Sequence, residues 1–180
     1  MGLFLFYPTP VFEKEDAMPE DFNQKLEKWI IDYSNTNEES KNWSKQYYGA
    51  GFTSFGNDQK LHEKEEVFSE LAKGLLPHVK EFLTHIKAIP PTTIECNDMW
   101  CTINRPMSGH PRHIHPLSAV SGTYYVNADK DRGNLQIHDP YDNRAMGMMF
   151  ESESPLAFDT YTLEVKSKKV KKSKKSYRKK

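Results

Sequence analysis

The chain has 180 residues, 37% hydrophobic and 28% charged, with 25 Lys+Arg set against 25 Asp+Glu. That length makes one domain with a single buried core, and 10 Phe, 9 Tyr and 3 Trp exclude a chain too polar to build one. The formal net charge of zero hides a partition: residues 166–180 carry ten Lys/Arg and no acid, leaving the first 165 residues at −10, an acidic body with a basic tail.

In chain order, residues 3–7 predict a short strand closed by Pro8 and Pro10. The apolar run there is only five residues long and has no basic segment before it, so neither a secretory signal nor a membrane span is expected. Phe6 stands where a myristoylation site wants Ser or Thr. Residues 19–34 predict a helix, with Phe22, Leu26, Trp29, Ile30 and Tyr33 on one stripe and Pro19, Glu20 and Asp21 suited to its first turn. Residues 35–41 predict a polar loop, and 47–55, with Gly49, Gly51 and nearby Gly56, a turn-rich stretch with short extended pieces.

A longer helical pattern runs over about 63–87, through Val67, Leu71, Leu75, Val79, Phe82, Leu83 and Ile86. Pro77 is expected to kink or split it. Beyond the Pro90-Pro91 connector the period changes to two. Met99, Cys101 and Ile103 alternate with Trp100, Thr102 and Asn104, and further strands are expected over 120–127, 133–139 and 156–165. Helices followed by antiparallel strands predict an α+β fold, with helices packed on a sandwich or barrel. Cys96 and Cys101, five positions apart in an extended stretch, point to opposite faces and do not bridge. Two free thiols suit a reducing compartment, and a cytoplasmic location is expected.

The chemistry concentrates in Gly109-His110-Pro111-Arg112-His113-Ile114-His115, three imidazoles within six positions. In extended backbone His113 and His115 fall on the same face, so two imidazoles reach one ion from one segment. The competing reading is a surface histidine cluster on a loop. His138, near the end of an expected strand, is either a third nitrogen or a solvent-facing side chain. His110 suits an outer or exposed position, and His62, His78 and His85 suit structural or exposed ones.

Taken together, Trp100-Cys101-Thr102-Ile103-Asn104, His113-Ile114-His115-Pro116, Ser121-Gly122-Thr123-Tyr124-Tyr125 and Gly133 to Asp139-Pro140 resemble the Fe(II)/2-oxoglutarate-dependent oxygenase superfamily. More closely they resemble a branch of it common in marine bacteria and their phages, whose start Leu5-Phe6-Tyr7-Pro8-Thr9-Pro10-Val11 also resembles. The resemblance implies a double-stranded β-helix (jelly-roll) core over residues 1–165, with Fe(II) and 2-oxoglutarate as cofactors. It implies a metal ligand at His113 and puts His115 where the acid usually stands. It implies that the Tyr125 hydroxyl meets the far carboxylate of 2-oxoglutarate, although Tyr125 also reads as a half-buried sheet aromatic. Asn104 and Ser121 would line the same cavity, or serve simply as polar strand residues.

The family pattern continues with a distal His and an Arg or Lys after the last strand, yet no histidine follows His138. The chain is therefore expected to leave the family sequence near Val165, by truncation, by a change of frame, or because a basic tail replaced the lost strands. Three functions follow. The first is a hydroxylase impaired by that loss. The second is a non-catalytic remnant of the fold whose disordered tail, Lys166–Lys180, binds nucleic acid non-specifically. The third is a cupin-type metal protein, for which the expected glutamate is missing at 118–120.

Overall fold

The computed structural model describes residues 9–89, 93–106, 108–128, 134–138 and 160–163. The first helix, α1 (Glu20–Thr36), follows Pro19 in extended backbone, and Glu20 and Asp21 lie in its first turn, where the helix dipole favours them. It buries Phe22, Asn23 and Leu26, while Trp29, Ile30 and Tyr33 pack against the same core, as the stripe predicts. Asn37 closes this helix and opens the next. Its backbone N–H donates to the Tyr33 carbonyl (2.9 Å), and its Oδ1 accepts from the Ser40 N–H (2.8 Å).

That second helix, α2 (Glu38–Tyr47), corrects the loop expected over 35–41. Asn37 is a strong N-cap, Glu38 and Glu39 suit the first turn, and the buried faces belong to Ser40 and Ser44 rather than to an apolar stripe. A short α3 (Leu61–Lys64) leads into α4 (Glu66–His85), which runs unbroken past Pro77. The expected split does not occur, since Pro77 is exposed and the buried Val67, Phe68 and Leu71 hold the preceding turns in the core. Trp29 stacks on Tyr33 (4.6 Å) and meets the edge of Phe68 (4.9 Å), which joins α1 to α4.

Strands are shorter than the alternation predicts. Strand β1 (Phe52–Thr53) pairs antiparallel with β2 (Thr102–Ile103). The ladder goes one bond further, from the Ser54 N–H to the Cys101 carbonyl (3.0 Å), and then gives way to contacts with residues 59–61. Met99 exchanges bonds with Gln59 (2.8 Å) and Leu61 (3.1 Å), and the Cys101 N–H donates to Ser54 Oγ (3.2 Å). Cys101 is thereby turned into the core, 4% exposed. On the other side of β1 the buried Ser44 hydroxyl replaces a strand, accepting from the Thr53 N–H (2.9 Å) and donating to the Thr53 carbonyl (3.0 Å).

The strand expected over 120–127 does not form among the described residues. Side chains anchor that segment instead: Tyr124 donates to Asn23 Oδ1, Asn127 Nδ2 donates to Glu27 (2.6 Å), and Tyr124 and Val126 pack on the core. Strand β3 (Leu135–His138) pairs antiparallel with β4 (Thr160–Leu163), in register from Leu135 opposite Leu163 to His138 opposite Thr160. The expected strand at 3–7, the outer parts of those at 133–139 and 156–165, and the tail lie outside the described residues.

The fold is thus mixed helix and small sheet, consistent with α+β. A jelly roll takes about eight strands in two sheets, whereas the described residues supply two separate two-stranded sheets. Among the described residues no helix is long and apolar enough to cross a membrane.

Candidate functional site

Two tight turns bracket the histidines. Before them, Ser108 closes on Arg105: its N–H and hydroxyl both donate to the Arg105 carbonyl (2.9 and 2.8 Å), and its Oγ accepts from the Arg105 N–H (2.7 Å). After them, the Ser118 N–H donates to the His115 carbonyl (3.4 Å) across Leu117, whose φ of +64° lies in the left-handed region. The stretch between is loop, not strand, yet it brings two rings together.

Nε2 of His113 lies 3.0 Å from Nε2 of His115. His113 Nδ1 lies 2.8 Å from the Pro111 carbonyl. A carbonyl only accepts, so in the neutral ring Nδ1 carries the proton and Nε2 keeps its lone pair. His115 Nε2–H then donates to His113 Nε2, and His115 must shift that proton to Nδ1 for its Nε2 to ligate. The His113 ring has the arrangement of a ligating imidazole, whose other nitrogen is oriented by a backbone carbonyl. Two nitrogens about 2.1 Å from one ion at right angles sit roughly 3.0 Å apart, so the pair fits two adjacent metal positions. Among the described residues no third His, Cys, Asp or Glu completes a metal-holding group.

The rings rest on aromatic walls. His115 stacks on Trp100, centroids 5.5 Å apart and planes 16° apart, and Trp100 meets Phe55 nearly edge-on (5.0 Å). His110 lies 4.6 Å from the Tyr48 ring and 5.7 Å from His113. Desolvation, and secondarily the neighbouring His113 and His115, hold His110 below the usual imidazole range. Tyr48 donates its hydroxyl to Asn104 Oδ1, and burial pushes its phenol up to about 12.

Of the remaining expected site residues, Asn104 therefore meets Tyr48. Tyr125 is 41% exposed, its phenol raised by desolvation, and Ser121 is exposed. Among the described residues no hydrogen bond or ring contact joins either to the histidine pair. His138 is half-buried on β3. Sequence reasoning missed Tyr48 and Trp100. Trp100 carried a signal, because it alternates with the buried Cys101 and so faces away from the core.

Residues 98–171 match the family model described as "Putative 2OG-Fe(II) oxygenase". The matched stretch is less than half of the chain, contains the whole histidine loop, and runs six residues past Val165, beyond the point where the family sequence is expected to stop. It supports the 2-oxoglutarate/Fe(II) oxygenase superfamily. No curated protein and no solved structure matches the chain.

Proposed function

We propose that the chain is an Fe(II)/2-oxoglutarate-dependent oxygenase, a hydroxylase in which Nε2 of His113 and Nε2 of His115 hold the metal. The observation that carries this reading is the 3.0 Å Nε2 pair inside the family-matched segment. When bound, iron with 2-oxoglutarate and dioxygen supplies hydroxylation of a C–H bond, with succinate and CO₂ as co-products. The Pro111 carbonyl fixes the His113 tautomer, and Trp100 holds the His115 plane. Tyr125 would meet the far carboxylate of the cosubstrate, with Asn104 and Ser121 lining the cavity.

The same reading includes a jelly-roll core and the branch with the His-x-His-Pro and Ser-Gly-x-Tyr-Tyr pattern. An imidazole in place of the acid removes a negative charge from the site and weakens its hold on Fe(II). Two free thiols, Cys96 and Cys101, suit a cytoplasmic setting.

Purified chain titrated with Fe(II) and 2-oxoglutarate without oxygen, then exposed to it, tests the proposal. Succinate should form, and His113→Ala with His115→Ala should abolish it. Failure to bind iron at micromolar levels would overturn the reading. The charge partition favours one second reading, a non-catalytic module that holds polyanions through Lys166–Lys180. In that case deleting residues 166–180 abolishes polyanion binding without unfolding the body. Unchanged binding excludes it.

A further inference from the structure

We infer that Tyr48 and Trp100 form an aromatic clamp that sets the spacing of the His113–His115 pair, which makes them positioning residues for the metal site. The inference rests on the metal reading above and names two residues outside the histidine loop, one of them outside the family-matched stretch.

The need for a clamp follows from the local backbone. A His-x-His pair on a strand is held by its ladder, but residues 110–115 belong to no strand. Two internal bonds orient the rings, His113 Nδ1 to the Pro111 carbonyl (2.8 Å) and Nε2 to Nε2 between His113 and His115 (3.0 Å), but both stay within the segment and neither fixes the pair against the body. The missing constraint comes from rings at the two ends of the segment. His110 sits against Tyr48 (4.6 Å) and His115 lies flat on Trp100 (5.5 Å, 16°). Between them the imidazoles follow in series, His110 to His113 at 5.7 Å and His113 to His115 at 5.0 Å.

Both walls are built into the body. Tyr48, 9% exposed, ends α2. Its ring occupies the space that a side chain at Gly51 would need, since a Cβ there would lie 2.5 Å from Tyr48 Cε1 and 2.8 Å from the Ile103 carbonyl. Its hydroxyl is fixed by Asn104. Trp100 is braced by Phe55 (5.0 Å), which in turn meets Trp43 of α2 (6.3 Å). The body before residue 98 thus reaches the histidines through a tilted ring contact at Tyr48 and, by way of Phe55, through the Trp100 stack.

Full-length chain with isotope-labelled histidine, free of metal, reads the clamp directly. The His115 ring protons should be displaced upfield by Trp100, and a nuclear Overhauser contact should join the His113 and His115 rings. Trp100→Ala should remove both signals, and Trp100→Phe should restore the contact. Tyr48→Leu should weaken the contact with the Trp100 stack intact. Co(II) alone is the second probe, and its affinity should fall roughly tenfold in Trp100→Ala, as for other residues that orient a ligand. Unshifted His115 protons in the parent chain, or a contact that survives Trp100→Ala with unchanged Co(II) affinity, overturns the clamp. Co(II) failing to bind while the ring signals respond as described upholds the clamp and overturns the metal reading.

Discussion

Tyr124 donates its hydroxyl to Oδ1 of Asn23, a bond between residues 101 positions apart that fastens the segment after the histidines to α1. Asn23 is 8% exposed, so an amide oxygen that loses this donor stays buried. Leaving a buried acceptor unpaired costs about 1–3 kcal/mol. Tyr124→Phe keeps the ring on the core and should lower the thermal midpoint by several degrees. A midpoint unchanged within error would show that the bond contributes nothing.

Ser44 stands in for a strand beside β1, and its hydroxyl satisfies both the N–H and the carbonyl of Thr53. Thr53 is 1% exposed and Ser44 2%, so water does not readily replace that hydroxyl. Ser44→Ala orphans a buried donor and a buried acceptor together, at about 2–4 kcal/mol. The urea midpoint should fall with little change in slope. Ser44→Thr, which keeps the hydroxyl, should recover part of the loss.

Burial raises the Cys101 thiol from 9.0 to about 12 and the Tyr48 phenol from 10.0 to about 12. In both the folded state holds its proton more tightly than the unfolded chain. Their contribution is complete below pH 9 and is lost as pH rises toward 12. For Cys101 the loss approaches about 1.4 kcal/mol for each pH unit in that window. Urea melts from pH 8 to 11 should therefore show falling stability, with a shallower fall in Cys101→Ala. An identical slope in the variant would remove Cys101 from this account.

The helices were legible where burial follows an apolar stripe. Phe22 and Leu26 of α1, and Val67 and Leu71 of α4, are core residues at the spacing read from the sequence. The second helix was not legible, because its buried face is Ser40 and Ser44; only the Asn37 cap announced it. Strands were overextended because alternation records which side chains face inward, not whether a ladder partner exists. Tyr124 and Val126 do face the core, but their segment is held by side chains. At the site, the two-residue spacing of His113 and His115 was visible in the sequence. The tilted contact of His110 with Tyr48 and the stack of His115 on Trp100 were not, because the rings involved come from separate parts of the chain.

The position of His115 sets two effects against each other. An Asp there would add a negative charge to the proposed metal site, and it would forfeit the stack on Trp100 (5.5 Å). The stack amounts to about 1 kcal/mol. A carboxylate beside a divalent cation gains more than that, since even unit charges about 4 Å apart at an effective dielectric of 20 attract by about 4 kcal/mol. His113 is exposed and His115 only half-buried, so solvent removes much of this attraction but not all of it. His115→Asp should therefore bind Fe(II) about tenfold more tightly than the parent chain, measured by anaerobic calorimetry, while the ring-current signature of the stack disappears. Weaker iron binding in His115→Asp would mean that the second imidazole and its aromatic wall hold the metal better than the charge does.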